Sequence, residues 1–526
     1  MSPNTLAALL FEHTSPFLTS NSIYRLELHD DYQRYLRLGF ISTRDKWQDR
    51  FGGIVRFKAP LGEDRLLISD PKAIQYIMQT PGYRFVKPYD IRVLFNAVTG
   101  KGVIGAEGAD HHRQRHILLP AFGSPESRAL MPIFRESVHT LIHQLRDTLS
   151  VSDSGSETVD IPTVLGRATL DTLGKAAFEY NFGALDGKQN KLAESLHHLT
   201  TEAFGLPSDS KVLLQGLTTL IPPRILDLMP YLPSDGLAFL RKNLEMSNEI
   251  ARKLIASKVA ALEEGNIGRD VLSLVVKANT TENGKLRLTD EELVPQLSTI
   301  LNADQETTTT FLGWALYELA RHPGAQRQLR EELQKAKADA GSEGREVTVS
   351  EMEGLPYFNA VIKETLRFDN VAPHLFRQAA QDDVLPLTKP ITTTSGKVVK
   401  EVPIPQGIRI IVSGAAYNFN KDVWGEDADI WRPERWLDKT VNPAAVNANV
   451  GVMSFGSGYR SCLGWRFAVV EIQTFLFELV TNLNFDMTDR ARKVRREHCM
   501  VTMPMIAGEM ENGNQMPLQV SLVDGF

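Results

Sequence analysis

The sequence predicts a mainly α-helical fold with a small β-rich part, and three observations carry that prediction. Apolar residues recur at helical spacing from about residue 70 to residue 376. Within that stretch one segment opens on Thr289-Asp290-Glu291-Glu292, the spacing of a capping box, and meets no strong breaker beyond Pro295 until Arg321-His322-Pro323-Gly324. Strand-like patterns are confined to residues 53–69 and to the chain after residue 380.

From Gly53 to Ser69 the chain reads as a hairpin, in which Ile54-Val55-Arg56-Phe57 and Leu66-Leu67-Ile68 flank the turn-rich Pro60-Leu61-Gly62-Glu63-Asp64. A helix follows directly. Asp70 can accept backbone N–H bonds as N-cap, and Pro71 suits the first helical position, where its missing donor costs nothing. The helical pattern is interrupted near Gly123, from Ser150 to Glu157, and across Pro207 to Pro233. The capped segment holds about 30 residues, which at ~1.5 Å each makes a rod of roughly 45 Å. A helix long enough to cross a whole domain is expected at the centre of the fold.

The 526 residues are 42% hydrophobic, which supplies a sizeable core and excludes disorder as the main state. Lys plus Arg number 58 against 64 for Asp plus Glu, a formal charge of −6, and this balance argues against nucleic acid as a partner. Length alone allows about three or four domains, but no pattern recurs at a fixed period and no long Gly/Ser- or Pro-rich linker divides the chain. The two cysteines, Cys462 and Cys499, cannot build a disulfide framework and suit a reducing compartment. The apolar run Leu6 to Phe11 is far shorter than the roughly 20 residues of a spanning helix. No basic stretch with a longer apolar run marks a secretory signal. The expected location is intracellular.

The chemistry concentrates around Cys462. Residues 455–464 read Phe-Gly-Ser-Gly-Tyr-Arg-Ser-Cys-Leu-Gly, and Trp465-Arg466-Phe467-Ala468 leads into an apolar helical pattern. This is a glycine-rich loop that delivers one cysteine to the start of a helix, where backbone N–H groups and the positive helix end favour thiolate. Gly456, Gly458 and Gly464 permit φ > 0 and close approach by a flat partner. The segment resembles the haem-binding loop of the cytochrome P-450 family: Phe, two residues, Gly, one residue, Arg or His, one residue, Cys, one residue, Gly. Phe455, Gly458, Arg460, Cys462 and Gly464 fill every fixed position.

Other segments carry the same resemblance in the family's order. Glu364 and Arg367 match its Glu, two residues, Arg motif, with both side chains on one helix face. Trp431-Arg432-Pro433-Glu434-Arg435-Trp436 matches a downstream segment, and the resemblance implies a structural network of Glu364, Arg367 and Arg435. In the long helix, Ala303-Asp304-Gln305-Glu306-Thr307-Thr308 is similar to the distal signature, which makes Glu306 and Thr307 the candidate proton-delivery pair. Asp304 stands where the family usually has Gly. Three readings of it are open: it alters proton delivery, it anchors a polar substrate group, or it points away. Gly108-Ala109-Asp110-His111-His112-Arg113-Gln114-Arg115 resembles the propionate-binding helix, with His111 in place of the common Trp, as fungal relatives often show. His111 and Arg115 share a helix face at i, i+4, and Arg377 matches a third propionate-binding position. His112 is expected to face solvent.

From about Lys46 onward the motif order follows the family. The resemblance therefore implies residues 46–526 as a single haem-thiolate catalytic domain, mainly α with a long central helix over the haem, and residues 1–45 as an N-terminal segment without a spanning helix. It implies haem b with Cys462 as axial metal ligand, and His111, Arg115, Arg377, Phe455 and Arg460 as cofactor-binding residues. The implied reaction is insertion of one oxygen atom from O2 into a lipophilic small molecule, a terpenoid secondary metabolite being the guess, with electrons from an NADPH-cytochrome reductase. Two alternatives stand beside it: a haem-thiolate isomerase or dehydratase that needs no external oxygen, and a non-catalytic haem sensor. The family places substrate contacts in Tyr89 to Ile104, around Phe204 to Leu220, along Leu301 to Thr307, at Val371 to Phe376 and near Thr502 to Met505, mostly apolar stretches. The apolar, proline-broken run Val212 to Leu232 reads either as a peripheral membrane contact, on the cytosolic face of the endoplasmic reticulum, or as a cover over the substrate channel. Arg492-Lys493, Arg495 and Arg496 read as a solvated face or as a docking patch for an acidic reductase.

Overall fold

The computed structural model describes residues 48, 51–80, 82–187, 216–266, 268–282, 284–393, 396–438 and 452–523. The Leu6 to Phe11 run, the first 45 residues and residues 204–215 of the apolar stretches lie outside these. In chain order the strands are β1 (Ile54–Lys58), β2 (Asp64–Ile68), β3 (Phe85–Val86), β4 (Ser156–Asp160), β5 (His374–Ala379), β6 (Asp383–Thr392), β7 (Val398–Ile404), β8 (Arg409–Ser413), β9 (Leu483–Met487), β10 (Val494–Cys499), β11 (Val501–Ile506) and β12 (Pro517–Leu522). The longer helices are α1 (Pro71–Gln79), α2 (Tyr89–Thr99), α3 (Gly108–Leu118), α4 (Met131–Ser150), α5 (Ile161–Phe178), α6 (Asp235–Glu263), α7 (Val271–Thr281), α8 (Asp290–Arg321), α9 (Pro323–Ser342), α10 (Pro356–Phe368) and α11 (Trp465–Asn482).

Local signals fold as they read. β1 and β2 pair antiparallel with Ile54 opposite Ile68. Asp70 caps α1 by accepting the Ala73 N–H at 2.9 Å, with Pro71 in the first turn. In α8 the Thr289 side chain and Glu292 complete a reciprocal capping box, and the helix runs 32 residues through Pro295.

Strands appear earlier than the expected residue 380. β5 and β8 join β1, β2 and β3 into one sheet of order β1-β2-β8-β5-β3, in which only β2–β8 is parallel. β4 falls in the interruption between α4 and α5 and pairs with β12, Ser156 opposite Ser521. Its sequence, Ser-Glu-Thr-Val-Asp, is partly exposed and has no apolar alternation, because a distant strand supplies the pairing that defines it.

The main core collects α4, α5, α8, α10 and α11. Helix α8 is buried along most of Leu293 to Ala320, as the apolar length of the segment requires. Its Trp314 donates to the Thr502 carbonyl at 2.7 Å and so ties the helix to β11.

A buried ion network stands beside that core. Glu364 on α10 receives Arg367 through two bonds of 2.9 and 2.7 Å, the Arg432 N–H at 2.9 Å and the Trp436 indole at 3.0 Å, with Arg435 Nε at 3.5 Å. Burial, the largest influence, pushes the Glu364 carboxyl up, but Arg367, Arg435 and the Arg432 N–H outweigh it and hold it below the usual range. The remaining guanidinium donors reach carbonyl oxygens and one further carboxylate: Arg367 the carbonyls of Asn418 and Ala428, Arg435 the carbonyl of Trp424 and the Asp427 carboxylate at 2.6 Å. Removal of one partner strands a buried charge, at a cost of about 3–5 kcal/mol. Arg435→Leu is therefore expected to destabilise the folded protein by that amount, measured as a shift in the urea unfolding midpoint; a loss under about 1 kcal/mol would contradict a network of this kind.

Candidate functional site

The cysteine loop is shaped by backbone geometry. Gly456 and Gly458 have φ of +65° and +68°, and a Cβ on Gly458 would collide with the Met78 carbonyl at the end of α1. Gly464 departs from the expectation. Its φ is −89° because it occupies the N-cap position of α11, and a Cβ there would meet only the Phe122 ring at 3.6 Å. The Cys462 N–H donates to the Phe455 carbonyl at 2.8 Å, which closes the loop, and the Phe455 side chain packs against the main core.

Cys462 has accessible surface, yet burial pushes its thiol up to about 11. Both hold if the thiol faces an internal space rather than bulk solvent. The Gly464 N–H and the Arg115 charge pull the thiol down, while Asp304 pushes it up. Asp304 is thus near enough for its charge to be felt at the sulfur. Helix α8 agrees: Ala303 is exposed and Asn302, Asp304 and Thr307 are half-buried in a helix otherwise closed by packing. Thr307 donates to the Ala303 carbonyl at 2.9 Å, and Glu306 beside it is buried.

On the far side of Asp304 the same helix meets α11. Glu471 is fully buried, and neither of its oxygens, nor Asp304 Oδ2, nor the Thr308 hydroxyl, completes a hydrogen bond of good geometry. Burial pushes Asp304 up to about 7. It also pushes Glu471 well above the carboxylate range, reinforced by Asp304 and only opposed by Thr308.

The remaining sequence-selected residues lie on the side of the loop facing α3. Arg115 donates to the Ser461 carbonyl at 2.8 Å. His111 is buried and its Nδ1 lies 2.8 Å from the Tyr83 hydroxyl. Arg460 pairs with Glu107, donates to the Ala106 carbonyl at 3.3 Å and stacks over the Tyr83 ring at 4.8 Å. Arg377 is buried and, among the described residues, bonds its neighbour's carbonyl, at 2.9 Å, and the Met78 sulfur, at 3.8 Å. His112 is exposed, as expected.

Sequence reasoning missed Tyr83, Lys87, Glu107 and Tyr459 here, because no spacing rule links residues 83, 87 and 107 to residue 460. Glu107, the N-cap residue of α3, accepts the Lys87 N–H at 3.0 Å and has the Lys87 ammonium at 3.6 Å. Burial, aided by Arg460, pushes Lys87 down to about 7 and Arg377 to about 10. Tyr83 adopts φ of +53°, a left-handed conformation that costs a side-chain-bearing residue about 1–2 kcal/mol.

This donor set fits haem. Lys87, Arg377 and Arg460 gather about a single carboxylate, Glu107, with Arg115 beside Arg460, and among the described residues the Arg460 Nε is buried without a hydrogen-bond partner. Two further carboxylates would offset most of that surplus. Among the described residues no group of three or more His, Cys, Asp or Glu is placed to hold a bare metal ion.

The basic run divides between two faces. Arg496 turns inward to Asp369 at 2.6 Å and Glu318 at 2.8 Å, while Arg495 is exposed, as strand alternation in β10 dictates. Arg496 is thus withdrawn from any docking patch. The side chain of Cys499 is outside the described residues.

The raised carboxyls set a pH dependence. Below about pH 4 both are neutral, folded or unfolded, but as pH rises toward 7 the unfolded chain ionises first and stability falls. Glu471→Gln should make the thermal midpoint fall less steeply between pH 4 and 8; an unchanged slope would show that Glu471 is not held neutral.

The family model for cytochrome P450 matches residues 37–507. The chain is 32% identical to cytochrome P450 monooxygenase 205 of Postia placenta, over 90% of this chain and 87% of that protein. It is 33% identical to cytochrome P450 monooxygenase 128 of the same organism, over 90% and 87%. It is 29% identical to cytochrome P450 monooxygenase claQ of Ampulloclitocybe clavipes, over 91% and 88%.

Proposed function

Because the chain belongs to the cytochrome P450 family, we propose that it inserts one oxygen atom from O2 into a lipophilic small molecule, with haem b held by Cys462 and electrons from an NADPH-dependent reductase. One observation supports this reading above the rest: the accessible thiol of Cys462 is within electrostatic reach of Asp304 on α8, and near its loop the cations outnumber the carboxylates. Haem ligated by a cysteine thiolate supplies the oxygen activation.

Each protein group then has a task. Arg115, Arg377, Arg460 and His111 would hold the haem carboxylates, and the Phe455–Cys462 loop would fix the direction of the sulfur. Thr307 and Glu306 are the proton-delivery pair of this reading. The Thr307 hydroxyl sits on the accessible face of α8, while Glu306 is screened from water by packing. A proton donor sheltered in this way limits side reactions with bulk water.

Apolar surface supports a lipophilic substrate. Ala303 on α8 and Phe376 on β5 are both exposed within stretches the family uses for substrate contact. The secondary-metabolite and terpenoid readings extend the same argument through the fungal character of the relatives.

Cys462→Ala is expected to remove the red-shifted absorption band of the ferrous carbon monoxide complex, and the wild-type protein should need both O2 and reductant for turnover. A band that survives the substitution would sink the assignment. Turnover without oxygen would instead favour the isomerase or dehydratase reading.

We also propose peripheral membrane contact. Leu220, Ile225, Leu228 and Tyr231 expose between 56% and 74% of their surface, and such a cluster suits insertion at a lipid interface. Among the described residues no helix is long and apolar enough to cross a membrane. The full chain should float with liposomes, and serine at these four positions should abolish flotation; flotation undiminished by the substitutions would exclude this patch as the contact.

A further inference from the structure

His111 replaces an indole with an imidazole, and that exchange raises a problem of proton placement. An indole nitrogen only donates, whereas each nitrogen of a neutral imidazole can be donor or acceptor. A histidine does the work of the tryptophan only if its one proton is held on the nitrogen that faces the anion.

The surroundings of His111 provide that control. Its Nδ1 lies 2.8 Å from the Tyr83 hydroxyl, and the two rings meet edge-on at 5.8 Å and 78°. Burial and the charges of Arg460, Lys87 and Arg115 push His111 down to about 3, so the ring is neutral at physiological pH. Burial pushes the Tyr83 phenol up, so it keeps its proton. Among the described residues the hydroxyl has one hydrogen-bond partner, Nδ1 of His111. The phenol proton therefore goes to Nδ1, and the imidazole proton to Nε2.

Two further features hold the phenol there. Arg460 stacks over one face of the Tyr83 ring and Tyr459 meets it edge-on at 5.0 Å. The backbone of Tyr83 is left-handed, φ +53°, directly after Gly82 at φ +87°. A strained residue of this kind persists only where its surroundings over-determine it.

We propose that Tyr83 is a positioning residue whose hydroxyl donates to His111 Nδ1, fixes the imidazole proton on Nε2 and so makes His111 present a single N–H to the haem carboxylates, as an indole would. This rests on the haem-binding reading above. It assigns Tyr83 no contact with haem.

The experiment uses purified haem-loaded protein and measures transfer of haem to an excess of apomyoglobin for the wild type, Tyr83→Phe, His111→Trp and the double variant. Tyr83→Phe should speed haem loss about 5-fold, the effect of weakening one hydrogen bond. The same substitution should have no effect in the His111→Trp background, since an indole has no tautomer to fix. Equal acceleration in both backgrounds, or none in the wild-type background, overturns the proposal. Nitrogen-15 spectra of histidine-labelled protein decide the matter even if His111→Trp does not fold. They should report one Nε2–H tautomer for His111 in the wild type and a mixture in Tyr83→Phe; an Nδ1–H tautomer in the wild type overturns it. A wild-type protein that binds no haem would sink the haem reading itself, an outcome separable from all of these.

Discussion

The buried carboxylate of Glu364 is the constraint on which the rest of this structure depends. A charge with no exposure must be met on every lone pair, and Arg367, Arg435, Trp436 and the Arg432 N–H meet it. Those partners come from α10 and from residues 432–436, so the ion network joins segments about 70 positions apart. Ser454 then donates to the Leu366 carbonyl on the same helix. The cysteine loop thus hangs from a point that cannot move without exposing a charge to an apolar interior.

Electrostatic imbalance organises the site in the opposite sense. The structural network is closed, with each guanidinium satisfied by a carboxylate or by carbonyl oxygens. The cluster around α3 is open, since among the described residues Glu107 is the one carboxylate paired with Lys87 and Arg460, and Arg377 finds a carbonyl and a sulfur. One buried cluster is thus satisfied within the fold, while its neighbour keeps an excess of cations. The buried carboxyls of Asp304 and Glu471 show the same contrast with the sign reversed, and protonation rather than pairing relieves them.

The sequence reveals those features whose causes are local. The capping box of α8, the Asp70 cap of α1 and the glycine loop around Cys462 each rest on residues within a few positions of one another, so their physics is visible in the string. The Glu364–Arg367 pair is local too, but its significance depends on Arg435, which only a family resemblance could connect to it. What stayed hidden was assembled by tertiary contact. Strand β4 exists because β12 lies beside it, and Arg496 leaves its basic run because strand alternation turns it toward Asp369. Tyr83, Lys87 and Glu107 belong to the site through distances that no spacing rule encodes.

The fit of Gly458 against the Met78 carbonyl bears on how such a protein can change over generations. Any side chain at position 458 would lift the cysteine loop off the end of α1, so variation there would be selected against as a loss of the cofactor seat, whatever the substrate. Ala303 and Phe376, which are exposed, are under no such restriction. Side chains at those two positions could therefore be exchanged without lifting the loop from α1, so substrate preference and cofactor seating would be separable under mutation.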